Sequence, residues 1–294
     1  MEFIWEGNRR FLNPSTYILP HDPTEMHRSD LMHKLLFESC GAHYLAPLDM
    51  FPRRILDVGC GTGQWVRDVG HSFPDSQVYG MDMISDGFRM EFGTPAWPPN
   101  ATLCLGDVIR GLAFPDNSFD FIHQRYLWSI PSESWPWVLQ ELFRMVQPGG
   151  WCEVGEGDAR ILLNFASSTS ACHVLSKWTQ SLFSLRGIDM DDATRIGGWM
   201  RQVGFVNVQR RDIRLPMGRW AGSVGEAVWG AHRALLEGCR AWEKALGAAP
   251  IHTLSEEMWN GWLGLFDQEM ATEKDIGLRT IIFFGRKPHE GEGS

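Results

Sequence analysis

With 294 residues and a 44% hydrophobic share, the chain can bury a full core as one large domain or as a core domain with additions. A net charge of −9 argues against nucleic-acid partners, which are held by Lys and Arg neutralising phosphates. MEFIWEGNRR lacks the apolar centre of a signal peptide, and no apolar run spans the roughly 18 residues of a membrane helix, so neither a leader nor a membrane partner is expected.

Residues 1–50 show no clear strand, and Glu25 to Cys40 reads as a helix with Thr24 as its N-cap. Strands and helices then alternate. Strands are predicted at Arg54–Val58, Gln77–Asp82, Ala101–Leu105, Phe119–Gln124 and Trp151–Val154. Helices are predicted at Gly63–His71 and Trp135–Val146, the second stopped by Pro148-Gly149-Gly150. Gly93–Asn100, with three prolines, is loop, and Pro115-Asp116-Asn117-Ser118 is a turn. This alternation predicts an α/β, Rossmann-like fold, a parallel sheet covered by helices on both faces. Beyond Glu156, residues 165–203 and 221–275 read as helices around a strand at Val206–Leu215. A last strand, Thr280–Gly285, precedes a polar tail. The expected organisation is an N-terminal helical lid segment (1–50), a Rossmann-like core (51–160), a C-terminal part with helical caps and the last two strands (161–288), and a disordered tail (289–294).

The chemistry centres on Ile55-Leu56-Asp57-Val58-Gly59-Cys60-Gly61-Thr62-Gly63, an apolar strand followed by alternating glycines that open a helix. Glycines there let the backbone turn sharply and approach a ligand closely. A dinucleotide site wants G-x-G-x-x-G, whereas the spacing here is G-x-G-x-G, and Asp57 would repel phosphates. S-adenosylmethionine carries an ammonium and a sulfonium and no phosphate, so an acidic loop suits it. Asp82, ending the second strand, can accept from a ribose diol, a feature shared with nicotinamide enzymes. Asp107, after the third strand, can accept from an adenine amino group. All three acids fall at the carboxyl ends of strands, where open α/β sheets bind ligands.

At these residues the chain resembles the fungal LaeA-like class I methyltransferases, which include many secondary-metabolite enzymes. The matching segments are ILDVGCGTGQW, GMD, WPPNATLCLGDV, FPDNSFDFIHQR and LFRMVQPGGWCEV. Flanking matches are Tyr17-Ile18-Leu19-Pro20, the pattern Glu25-x-x-Arg28-x-Asp30-x-x-His33, and Phe284-Gly285-Arg286-Lys287-Pro288. Together they cover roughly residues 10–288. The resemblance implies a seven-stranded, mostly parallel sheet with the seventh strand antiparallel, plus added helical lid segments. It implies S-adenosylmethionine as cofactor and S-adenosylhomocysteine as product. Asp57, Gly59 and Gly61, with Cys60 and Gly63 beside them, would hold the methionine part. Asp82 with Met83 would hold the ribose, Asp107 with Val108 the adenine, and the backbone near His123 would face the methyl donor. The continuation Met83-Ile84-Ser85-Asp86 departs from the family's usual pattern and puts the adenosine wall in question.

Methyl transfer is an in-line displacement, so positioning carries most of the catalysis, and a nearby base takes the acceptor's proton. By position His123 is the first candidate base, Glu156 the second and His33, paired with Asp30 at i, i+3, the third. Tyr17, Arg125, Tyr126 and Trp128 are candidate acceptor contacts. His27 and His33 do not share a helix face, so no metal is expected there. The six scattered cysteines contain no CxxC pair and suit a cytoplasmic enzyme with reduced thiols. Trp5, Trp178, Trp199, Trp220, Trp229, Trp242, Trp259 and Trp262 lie outside the core, and helices carrying them are expected to close over an apolar acceptor or to pack in a homodimer. The expected function is transfer of a methyl group to a small, largely apolar natural product, by O-methylation. The alternatives are N-, C- or S-methylation, a regulatory protein in a nuclear complex, or a nicotinamide-dependent oxidoreductase.

Overall fold

A computed structural model of the chain describes residues 2–13, 17–48, 51–84, 96–158, 167–246 and 254–292. The chain opens on a two-stranded antiparallel hairpin, β1 (Glu2–Glu6) and β2 (Arg9–Asn13). This corrects the expectation of no strand before residue 50. The connecting Gly7-Asn8, with Gly7 at φ 56°, is a two-residue hairpin turn. Helix α1 (Pro23–Cys40) follows; Asp22, not Thr24, is its N-cap and accepts from the Glu25 N–H, with Pro23 in the first turn.

The main sheet has seven strands: β3 (Arg54–Val58), β4 (Gln77–Asp82), β5 (Ala101–Leu105), β6 (Phe119–Arg125), β7 (Val146–Asp158), β8 (Val206–Pro216) and β9 (Gly277–Arg286). Their order is β5-β4-β3-β6-β7-β9-β8. β3 to β7 pair in parallel, and β9 runs antiparallel between β7 and β8. The sheet is thus the Rossmann-like one expected. α2 (Gln64–Ser72) and α3 (Trp135–Met145) sit between the parallel strands. β7 is much longer than expected: Pro148-Gly149-Gly150 lies inside it, and β6 and β7 shift register between Phe119 and Phe121.

Outside the sheet lie α4 (Ala171–Ser184), α5 (Ile196–Gln202), α6 (Gly222–Leu246) and α7 (Glu256–Thr272). α4, α6 and α7 share one apolar core with the N-terminal segment, containing Phe11, Ile18, Leu19, Leu36, Trp178, Trp242, Trp259 and Phe266. Trp178 and Trp259 pack with ring centroids 5.0 Å apart, and Trp199 stacks on Trp135. Trp5 is 63% exposed. Trp178, Trp242 and Trp259 thus pack between helices in this core. No helix among the described residues is long and apolar enough to cross a membrane. After β9, Arg286 donates to Glu292 and His289 packs against Gly149, while residues 293–294 lie outside the described ones.

Asp22 joins this layer at two points, capping α1 and receiving Arg9 Nε at 2.6 Å. Asp22→Ala is expected to cost about 1–2 kcal/mol of stability in urea unfolding, with Asp22→Asn recovering the cap contribution. An unchanged unfolding midpoint in the alanine variant would remove α1 capping from the account.

Candidate active site

A cavity of about 170 Å³ opens at the carboxyl ends of β3 to β6. Its floor is the turn after β3 with Asp57, Gly59, Cys60 and Gly61, then Asp82 and Met83 after β4, Asp107 and Val108 after β5, and His123 on β6. Tyr17, His21 and one face of α1 cover it, and Arg125, Tyr126 and Trp128 close one end. Of the expected cofactor residues only Gly63 is off its wall. Gly63 ends the turn as N-cap of α2 at φ 79°, and a Cβ there would sit 2.9 Å from the Trp97 ring. Its glycine serves a close approach of Trp97, not of a ligand.

The turn is tied to its neighbours by its backbone. Gly59 and Cys60 donate to the Met81 carbonyl at 2.7 and 3.0 Å, and Gly61 donates to Asp82 Oδ2 at 2.9 Å. Ile84 donates to Asp82 Oδ1 at 3.2 Å. Each Asp82 oxygen so accepts one backbone N–H and keeps lone pairs for further donors. A Cβ on Gly61, at φ 56°, would meet nothing within 4 Å, so the backbone there faces open space. Asp107 caps the single turn Val108–Arg110 by accepting from Ile109 at 3.0 Å, while still lining the cavity.

Asp57 and His123 are both almost fully buried, and Asp57 Oδ1 lies 2.7 Å from His123 Nδ1. The His123 ring stacks on Trp65 with centroids 4.1 Å apart and an interplanar angle of 3°. Burial pushes Asp57 up to about 7 and holds His123 well below its ordinary value, so the pair favours one shared proton over two charges. Burial likewise pushes Asp82 up to about 6, against the backbone N–H groups that favour its ionised form. The floor thus carries two carboxyls whose ionised forms burial disfavours.

His33 does not pair with Asp30 as expected. Its Nε2 faces Asp68 at 2.8 Å and its Nδ1 faces Arg125 Nη2 at 2.7 Å, while Asp30 accepts from the Thr62 hydroxyl at 2.5 Å. With both ring nitrogens engaged, His33 has no lone pair ready for an acceptor's proton. His33, His43 and Asp68 also bring possible metal-ligand atoms within 4.8 Å of one another. Arg125 donating to Nδ1 leaves the proton of neutral His33 on Nε2, the nitrogen that faces Asp68, which disfavours a cation there.

Glu156 is also displaced from its expected place. It lies within β7, off the main cavity, and lines a separate small cavity with Asp192. Its Oε1 accepts from Gln124 Nε2 at 2.6 Å and from Leu127 N at 2.9 Å. Burial pushes its carboxyl up to about 8. Glu156 therefore braces the turn after β6, where Tyr126 and Trp128 hold left-handed φ values of 52° and 32°. The sequence reading gave no role to Arg28, whose guanidinium reaches Glu25 at 2.6 and 2.9 Å inside the cavity wall. It gave none to Trp65 either. The spacing Glu25-x-x-Arg28 was the available signal for the first.

Residues 55–150 match the family described as "Methyltransferase domain". The methyltransferase pytC of Aspergillus terreus is 26% identical over 98% of this chain and 89% of its own. The N-methyltransferase sirN of Leptosphaeria maculans is 27% identical over 94% of this chain and 96% of its own. The secondary metabolism regulator laeA of Coprinopsis cinerea is 28% identical over 72% of this chain and 56% of its own.

Residues 55–150 thus form a methyltransferase domain, and S-adenosylmethionine is its cofactor. The cavity fits that cofactor: Asp57 and Asp82, whose charged forms burial disfavours, line it together with the open backbone of Gly61.

The raised carboxyls give a signed pH effect. A cationic ligand prefers ionised Asp57 and Asp82, so binding expels protons and tightens as pH rises through about 6 to 7. S-adenosylhomocysteine, which keeps an α-ammonium, is expected to bind about tenfold more weakly at pH 5 than at pH 8 by calorimetry. Affinity that is flat or falls over that range would contradict the buried-carboxyl account.

Proposed function

We propose that this methyltransferase moves the methyl group of S-adenosylmethionine to an oxygen of a small, largely apolar natural product in secondary metabolism. The observation that carries the reading is the cavity itself, where three strand-end acids and a glycine turn meet aromatic and apolar side chains. Similarity to pytC over nearly the whole chain supports the metabolic setting. The cofactor, when bound, supplies the electrophilic methyl on a sulfonium.

In this reading Asp57, Gly59, Cys60 and Gly61 hold the methionine part, Asp82 and Met83 the ribose, and Asp107 and Val108 the adenine. His123, stacked on Trp65, fixes one Asp57 oxygen and leaves the other to the ammonium. Tyr17, Arg125, Tyr126 and Trp128 form the wall toward the acceptor. Tyr126 is anchored through its hydroxyl to Thr280, and Glu156 holds the turn that carries it. α1 and residues 17–21 act as a cover that excludes water and aligns the reacting atoms. A nitrogen acceptor is the second reading, favoured by the match to sirN over 96% of that protein.

Two measurements test this. S-adenosylhomocysteine is expected to bind in calorimetry and NAD is not; the reverse result would overturn the cofactor assignment. Asp82→Ala is expected to weaken S-adenosylhomocysteine by about 1.5–3 kcal/mol, with Asp82→Asn recovering part of the loss. Wild-type affinity in the alanine variant would place the ribose elsewhere.

A further inference from the structure

A second, smaller cavity lies behind the cofactor cavity, between α1, α4, α6 and the ends of β7 and β9. The two cavities share a wall made by Arg28, Met32, Tyr126 and Trp128. Two helices outside the sheet and a connecting loop contribute to this second space. α4 supplies Ser176 and Thr179, α6 supplies His232 and Leu235, and the loop after α4 supplies Met190.

The charges around this space are already matched. Arg28 is paired with Glu25, and Arg279 with the fully buried Asp158. Thr179 donates its hydroxyl to the Leu175 carbonyl at 2.9 Å. The Ser176 hydroxyl, only 5% exposed, and the His232 ring line the cavity beside them. A hydroxyl and an imidazole can each hydrogen-bond a ligand seated between them. Burial, then the Arg28 charge, holds His232 down to about 4. It is therefore neutral at physiological pH and offers a lone pair.

We propose that this second cavity is the acceptor chamber, taking a neutral, mostly apolar ring system whose single hydroxyl hydrogen-bonds His232 or Ser176. Matched charges leave no site for an ionic acceptor. The apolar wall of Met32, Met190, Leu235 and Leu278 suits a ring. Tyr126 and Trp128 line both cavities, so a molecule seated there lies next to the cofactor cavity. The inference rests on the methyltransferase reading for the meaning of the chamber, but its binding test does not need the cofactor.

The probes are 1-naphthol and naphthalene, titrated by ligand-observed NMR with and without S-adenosylhomocysteine, whose own binding is followed by calorimetry. The expected result is that 1-naphthol binds in both states and more tightly than naphthalene. His232→Phe should narrow that preference at least threefold. Ser176→Trp, which fills the chamber, should weaken 1-naphthol tenfold or more while leaving S-adenosylhomocysteine affinity unchanged. Met190→Trp, placed in a loop, repeats the filling where the helix substitution might unfold the protein. The proposal is overturned by absent 1-naphthol binding, by binding that the filling variants leave intact, or by competition between 1-naphthol and S-adenosylhomocysteine. Loss of S-adenosylhomocysteine binding with retained naphthol binding would overturn the cofactor reading alone.

Discussion

The hydrogen bond between Asp57 Oδ1 and His123 Nδ1 joins two adjacent parallel strands at the point where both reach the cavity. Asp57 and His123 are direct register partners of β3 and β6, so the sheet itself sets their separation. Trp65, on the first turn of α2, lies flat on the imidazole and keeps water from it. A carboxyl in that position cannot easily ionise, because burial costs it more than a neutral histidine returns. The glycine turn after β3, bonded to the Met81 carbonyl and to Asp82, brings a second, partly buried carboxyl close by. Two carboxyls whose charged forms burial disfavours thus lie at one end of the sheet, where a cationic ligand would favour their ionisation. Affinity for such a ligand comes from the sheet's register as much as from any one side chain.

What was legible in the sequence was local. The run Ile55 to Gly63 declares strand, turn and helix within nine residues, and Asp82 and Asp107 follow their strands by the same strand-end logic. The sheet order and the antiparallel last strand came from resemblance, since pairing between distant strands leaves no local mark. The N-terminal hairpin had a signal that the reading passed over, Gly7-Asn8 between two short runs with apolar residues. Asp22 before Pro23 was likewise a better cap signal than Thr24 after it.

Glu156 shows a different limit. Pro148-Gly149-Gly150 reads as a helix stop followed by a short strand, which puts Glu156 in a loop at the mouth of the site. In the fold that tripeptide lies within β7, and the strand runs on to Asp158. Glu153 and Glu156 then project to opposite faces, because side chains alternate along a strand. Glu153 accepts from the Leu45 and Ala46 amides ahead of β3, while Glu156 accepts from the turn after β6. One misjudged strand length converts a candidate base into a brace. The pairings of His33 with Asp68 and with Arg125 were invisible for another reason. They join α1 to α2 and β6 across 35 and 92 residues of sequence, and no periodicity encodes such contacts.

The wall between the two cavities is where these elements meet, and its stiffness has a physical purpose in the proposed reading. Displacement at a methyl group develops no oxyanion, so the protein's contribution is alignment of donor and acceptor. Alignment within a few tenths of an ångström requires a wall that does not yield to either ligand. Tyr126 and Trp128 occupy left-handed backbone conformations that few non-glycine residues adopt, and such conformations persist only where surroundings over-determine them. Here the surroundings are identifiable: Glu156 on the Leu127 amide, Thr280 on the Tyr126 hydroxyl, and Arg28 over the Trp128 ring at 5.9 Å. Each anchor comes from a different element, β7, β9 and α1. The turn is thereby fixed to the sheet on one side and to the cover on the other. A displacement of α1 would move Arg28 and the roof of the cofactor cavity together. The position of the cover and the shape of the acceptor wall are thus mechanically one variable.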